Sequence, residues 1–149
     1  MAKQSALETL IELAQRDTDD AAKRLGVALK AVEEAGQKLT MLLGFRDDYA
    51  IKLEAAQVAG ITPMAYRNFV AFMDKLDVAI NGQREVVKHA QFKGDHEKTL
   101  WQAAERKRLS YRTLHERAAV DALKAENKRD QKQMDEHAAR QAYFKSNPR

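Results

Sequence analysis

Apolar residues recur at alternating steps of three and four from Ile11 onward: Ala14, Thr18, Ala21, Leu25, Ala28, Val32, Ala35, Leu39, Leu42, Arg46, Tyr49, Leu53 and Ala56. Twelve of these fourteen positions are apolar, and such spacing, kept up for six heptads, predicts a helix with a coiled-coil seam. Ala22, Leu29 and Leu43 widen the stripe on one side. The opposite face carries acidic and basic residues four apart, Glu12/Arg16, Asp20/Arg24, Glu34/Lys38 and Asp48/Lys52. The acidic member always comes first, the order that suits the helix dipole, though each pair adds only ~0.2–0.5 kcal/mol.

The pattern breaks at Ala59-Gly60-Ile61-Thr62-Pro63. Glycine takes the left-handed conformation that ends a helix, a threonine hydroxyl caps the next one, and proline suits a first helical position because it has no N–H to leave unpaired. Beyond it a second periodic run starts at Phe69 and passes through Phe72, Leu76, Ala79, Gln83, Val86, Ala90, Lys93, Glu97 and Leu100 to Ala125, apolar at twelve of seventeen steps. It weakens at Gln83, Lys93 and Glu97, and a shift of one residue offers Met73, Ile80, Val87 and Trp101 instead. Asn81-Gly82 and Gly94 are turn signals inside this run, but the periodicity continues through both and an interior glycine costs only ~1 kcal/mol relative to alanine.

The expected architecture is all-α: one long antiparallel two-helix coiled-coil hairpin over residues 1–149. Helix one covers about 5–57, the turn about 58–62, helix two about 63–140, and a frayed tail 141–149. At 1.5 Å per residue the helices measure roughly 80 and 115 Å, so some twenty residues of helix two, around Lys124 to Arg140, extend past the start of helix one. Such a segment is marginal alone and gains stability from a partner.

Composition narrows the chemistry. The 149 residues include 2 prolines, 6 glycines and no cysteine, and 32% are charged. Without cysteine there is no disulfide, thiolate metal site or thiol nucleophile, which is compatible with a reducing cytosol. The start lacks the apolar run of a secretory signal, and nothing approaches the roughly 20 apolar residues of a membrane helix. The histidines, at 89, 96, 115 and 137, include no pair four apart and read as surface residues. The glycines never cluster into a phosphate-binding loop, and Ser5, Ser110 and Ser146 have no nucleophile-elbow context. The expectation is a protein that is not an enzyme and needs no metal or cofactor.

Charge is uneven. Residues 101–149 hold 12 Lys and Arg against 7 Asp and Glu, a surplus of +5 in a chain whose net charge is +4. The cluster Arg106-Lys107-Arg108 with Arg112, Arg117, Lys128-Arg129 and Lys132 is interrupted by Glu105, Glu116, Glu126, Asp130, Asp135 and Glu136. A solvated helix face accounts for it, and an unrelated coiled-coil adaptor or nucleic-acid-binding hairpin is the alternative reading. Near the turn, Tyr66, Phe69, Phe72, Met73 and Leu76 crowd a broader arc than one seam needs, which suits either core packing against Tyr49 and Leu53 or contact with a partner.

The chain resembles the flagellar type III export family FliJ in two blocks. The first is Ala6-Leu7-Glu8-Thr9-Leu10, Leu13-Ala14, Asp19-Asp20-Ala21-Ala22 and Leu25-Gly26; the second is Ala125-Glu126-Asn127, Asp130-Gln131-Lys132 and Met134-Asp135-Glu136. Leu39-Thr40-Met41-Leu42, Tyr49, Leu53, Gly60-Ile61, Phe72, Leu76 and Ala79-Ile80 also fit, so the likeness covers nearly the whole chain.

The resemblance implies a two-helix coiled coil similar to the central stalk of rotary ATPases. It implies a cytoplasmic place at the inner face of the membrane beneath the flagellar basal body, with membrane association only through the export apparatus and no nucleic-acid partner. The implied partners are the hexameric export ATPase FliI, the export gate protein FlhA, and export chaperones such as FlgN and FliT. The gate-binding patch falls on Phe72, Leu76, Ala79 and Gln83, the last standing where the familiar member of the family has histidine. ATPase binding falls on Leu7, Leu10, Leu13, Asp19 and Asp20, with Asn127, Asp130, Lys132, Met134 and Asp135; seam packing is the competing explanation for the leucines. Inside a ring of subunits, Arg106 to Arg117 and Lys128-Arg129 would meet acidic loops with salt-sensitive affinity.

Overall fold

The structure, a computed structural model, describes residues 2–147. It consists of α1 (Ala2–Ala59) and α2 (Pro63–Ser146), packed against each other, with no strand among the described residues. At 58 and 84 residues the helices are about 87 and about 126 Å long. α2 passes through Gly82 and Gly94 without a break. It also continues past residue 140, where the sequence pattern suggested fraying. Ala138, Ala139, Gln141 and Ala142 are good helix formers, and the helix stops only just before Pro148, which disfavours helical backbone in the residue ahead of it.

The turn is built by three residues. Gly60 has φ +94°, a left-handed conformation costly to any residue with a Cβ, and its N–H donates to the Gln57 carbonyl at 3.4 Å. The Thr62 hydroxyl accepts the Ala65 N–H at 3.2 Å, and its carbonyl accepts the Tyr66 N–H at 3.0 Å. Thr62 is therefore an N-cap, with Pro63 in the first helical position behind it.

The chain divides into two compact units, Thr18–Ala104 and Met1–Asp17 with Glu105–Arg149. In the first, Tyr49 meets Phe72, Arg46 meets Asp77, Ala35 meets Gln83, and Arg24 meets Glu97. Partners descend along α1 as they ascend α2, so the helices run antiparallel. The α1 seam from Thr18 to Ala56 follows the expected positions, each buried or half-buried. Its first half holds a row of alanines seven residues apart, Ala21, Ala28 and Ala35, with Ala21 only 1% exposed.

The α2 seam differs from the leading expectation. Its inward positions are Phe69, Met73, Leu76, Ile80, Gln83, Val87, Ala90, Gly94, Glu97, Trp101 and Ala104, while Phe72, Ala79, Val86, Lys93 and Leu100 are exposed. Both series step by three and four and share every second position, but only the inward one turns Met73, Ile80, Val87 and Trp101 toward α1. It also leaves Lys93 in solvent and places Gly94 against Val32 and Leu29 of α1, where a Cβ would lie 3.5 Å from Val32 Cγ2 and 3.9 Å from Leu29 Cδ2. Small residues of this kind let helix axes approach toward the lower end of the usual 8–10 Å.

In the second unit, Ala14 is buried and Leu7 and Ile11 are half-buried; on α2, Glu105, Arg108, Tyr111 and His115 are half-buried. His115 is thus not the surface residue expected, and its Nδ1 is buried with no hydrogen-bond partner. From Glu116 to Asn147 every residue is exposed. The uncovered stretch therefore begins earlier, and runs further, than the twenty residues foreseen.

Candidate functional site

The four residues expected to face a gate protein divide into two kinds. Leu76 and Gln83 are 8% and 7% exposed and belong to the seam; the Gln83 side-chain amide donates to the Ala35 carbonyl at 2.9 Å. Phe72 is 39% exposed, and Ala79, seven residues on, is also exposed. Leu76 thus shapes the helix pairing on which Phe72 and Ala79 are displayed. Gln83 thus carries a buried cross-helix hydrogen bond.

An aromatic group positions Phe72. Its ring stacks on Tyr49 with centroids 4.2 Å apart, and Phe69 meets the same tyrosine edge-on at 6.2 Å. Both geometries are favourable for aromatic quadrupoles. Lys52 Nζ stands 5.2 Å from the centre of the Tyr49 ring. One turn before Tyr49 on α1, Phe45 is 46% exposed, and a spacing of four puts the two rings on one face of the helix. Phe45 lies beside the seam, so the periodic pattern does not single it out. The signal that could have found it is its seven-residue offset from Lys38 and Lys52, the other residues of that flanking row.

Ion pairs brace the same region. Arg46 Nε contacts Asp77 Oδ1 at 2.5 Å, and the hydrogen bond to that carboxylate, with its charge, raises the arginine pKa. Arg24, which the sequence paired with Asp20 on its own helix, instead reaches Glu97 Oε2 across the seam at 3.6 Å. The interhelical partner wins because Glu97 is mostly buried there and needs a cation, whereas Asp20 is exposed.

The residues expected to meet an ATPase fall in different surroundings. Leu7 is half-buried in the seam, but Leu10 and Leu13 are 42% and 50% exposed, so seam packing does not account for them. Asp19 and Asp20 are exposed and belong to the Thr18–Ala104 unit. Asn127, Asp130, Lys132, Met134 and Asp135 are exposed on the uncovered part of α2, with Gln131 Nε2 donating to Asp135 Oδ1 at 3.1 Å. Burial along α2 ends at His115, so Asn127 stands about 18 Å further on, with no helix over it. Within the basic cluster, Arg108 is half-buried and its guanidinium bonds the Glu105 carboxylate, which holds that carboxyl below its ordinary pKa. Arg106 and Arg117 face solvent.

Among the described residues, no three His, Cys, Asp or Glu side chains converge to hold a metal ion, and no helix is long and apolar enough to cross a membrane. What the surface offers is an aromatic group near the turn and a long uncovered stretch of α2, both carried on a two-helix hairpin. The same fold occurs in a protein of Chlamydia trachomatis described as a YscO homologue, at a TM-score of 0.51 and 15% identity, covering 100% of this chain and 96% of that one. The family model for "Flagellar FliJ protein" matches residues 3–147, and the chain belongs to that family. It is 35% identical to the flagellar FliJ protein of Escherichia coli K12 and 34% identical to that of Salmonella typhi. Each match spans 145 residues, 97% of this chain and 99% of the relative.

Proposed function

We propose that the protein is a non-enzymatic part of the flagellar type III export apparatus, acting as a stalk between the export ATPase and the export gate. In this reading Phe72 and Ala79, with Phe45 beside them, form the contact with the gate protein FlhA. Leu76 and Gln83 hold the helices that present it. The uncovered part of α2, with the exposed Leu10 and Leu13 at the start of α1, enters the FliI ring and promotes its assembly. Export chaperones such as FlgN and FliT are escorted by the same molecule at the inner face of the membrane.

The observation that carries the reading is the exposure of every residue from Glu116 to Asn147 in a chain of this family. Most helical stability in proteins comes from packing of one face, which this stretch lacks, so a bound partner repays its ordering. Adding the purified protein to the cognate export ATPase, and measuring ATP turnover and hexamer formation, tests it. Both are expected to rise; no change in either would remove the stalk role.

A further inference from the structure

The seam of the Thr18–Ala104 unit is unequal along its length. On the turn side of the Gln83–Ala35 hydrogen bond, from Leu39 to Ala56 and from Phe69 to Ile80, large apolar side chains fill eight of ten seam positions. On the other side, from Thr18 to Ala35 and from Gln83 to Ala104, they fill four of thirteen: Leu25, Val32, Val87 and Trp101. The two large apolar residues with least exposure, Leu76 and Ile80, both lie in the turn half. The far half closes instead on alanines, on Gly94 and on Glu97, whose Oε2 is buried with no hydrogen bond and has only the Arg24 guanidinium at 3.6 Å. Apolar burial scales with side-chain size, so each turn of the far half is held by less of it, and that half also carries a desolvated carboxylate.

We infer that this helix pair is a two-part zipper: the far half opens as one cooperative unit up to the Gln83–Ala35 bond while the half beside the turn stays closed. The bond marks the boundary because opening past it would break a buried hydrogen bond that ties the two helices together. Opening exposes the alanine row of α1 and Val87 and Trp101 of α2, and so frees both strips for pairing with another helix. The aromatic ledge around Tyr49 and Phe72 is left intact, so the device can work without dismantling it.

Native-state hydrogen exchange on the full chain, resolved by residue, reads this directly, because helices that lose tertiary support exchange far faster. Amides of residues 21–33 and 87–102 are expected to share one opening equilibrium, at least tenfold more frequent than that of residues 40–54 and 69–80, with a step at Ala35 and Gln83. A uniform level, or a smooth gradient away from the turn, would overturn the inference, because the first means one zipper and the second ordinary fraying. Gly94→Ala is the second probe: its methyl group makes ordinary contact with Val32 and Leu29. It should slow exchange severalfold in the far half alone; equal slowing in both halves would show that they open together and sink the proposal.

Discussion

The residues gathered near the turn do two different jobs, and substitution separates them. Leu76 is buried against α1, so Leu76→Ala removes apolar contacts and leaves a cavity, costing about 2–5 kcal/mol in urea unfolding. Phe72 is partly exposed and stacked on Tyr49, so Phe72→Ala costs about 0.5–1.5 kcal/mol of stacking plus a share of burial. Binding to a gate fragment should show the reverse ranking once stability is allowed for: Phe72→Ala weakens it in a fully folded protein, whereas Leu76→Ala acts through the loss of folded molecules. Equal effects of the two on both measurements would place both in the same role. Gln83 gives a sharper residue-scale test. Gln83→Ala breaks the bond to Ala35 and opens space, an expected loss of about 1–2 kcal/mol. Gln83→Leu keeps the volume and removes the buried amide, so its unfolding midpoint should equal or exceed that of the parent. A large loss in the leucine variant would mean that the hydrogen bond contributes more than burial does.

At the scale of the element, the legible features were those with a local cause. Gly60, Thr62 and Pro63 each have one backbone reason to sit where they do, and α1 shows its seam because its stepped series stays apolar at twelve of fourteen positions. The α2 seam was ambiguous because Phe72 and Met73, or Val86 and Val87, are adjacent and both apolar, so spacing alone scores either series well. What decides is the partner helix: Gly94 is buried against Val32 and Leu29, and Lys93 escapes to solvent. No single-helix pattern contains that information, and the same gap hid Phe45 and the cross-seam pair of Arg24 with Glu97. The uncovered part of α2 has a further consequence. Removing residues 120–149 deletes no buried side chain described in the structure, so the thermal midpoint should move by no more than about 2 °C, less than the shift that a 1 kcal/mol change gives in a chain of this size. The shortened protein should nevertheless lose its effect on export ATPase turnover. A drop of many degrees would show that the segment folds back onto covered parts of the molecule, and retained stimulation would move the ATPase contact elsewhere.

Over the whole molecule the balance of charge becomes specific once burial is known. The surplus of +5 in the last 49 residues is concentrated ahead of residue 118: residues 101–117 hold five basic and two acidic side chains, whereas residues 118–147 hold six and five. Several of those cations already have work. Arg108 bonds Glu105, Arg112 pairs with Glu116 at 3.4 Å, and Lys107 lies over the Tyr111 ring. Reversing Arg108, one of the cations first suspected of meeting acidic loops, would therefore disturb the helix surface as well as any partner. Arg106 and Arg117 face solvent and are the cleaner probes. If acidic loops of an ATPase ring meet this part of α2, Arg106→Glu with Arg117→Glu should weaken binding about tenfold at low ionic strength, since exposed charge pairs contribute up to about 1 kcal/mol each. The difference from the parent should shrink as salt is raised, because screening shortens the reach of both attraction and repulsion. Lys124→Glu with Lys128→Glu, in the nearly neutral segment, should have the smaller effect, since acidic neighbours there already offset the basic ones. Binding titrations at several salt concentrations decide between them: equal losses for the two double variants would spread the electrostatic contact along α2, and unchanged binding and salt dependence in both would leave association to the apolar and shape-dependent contacts alone.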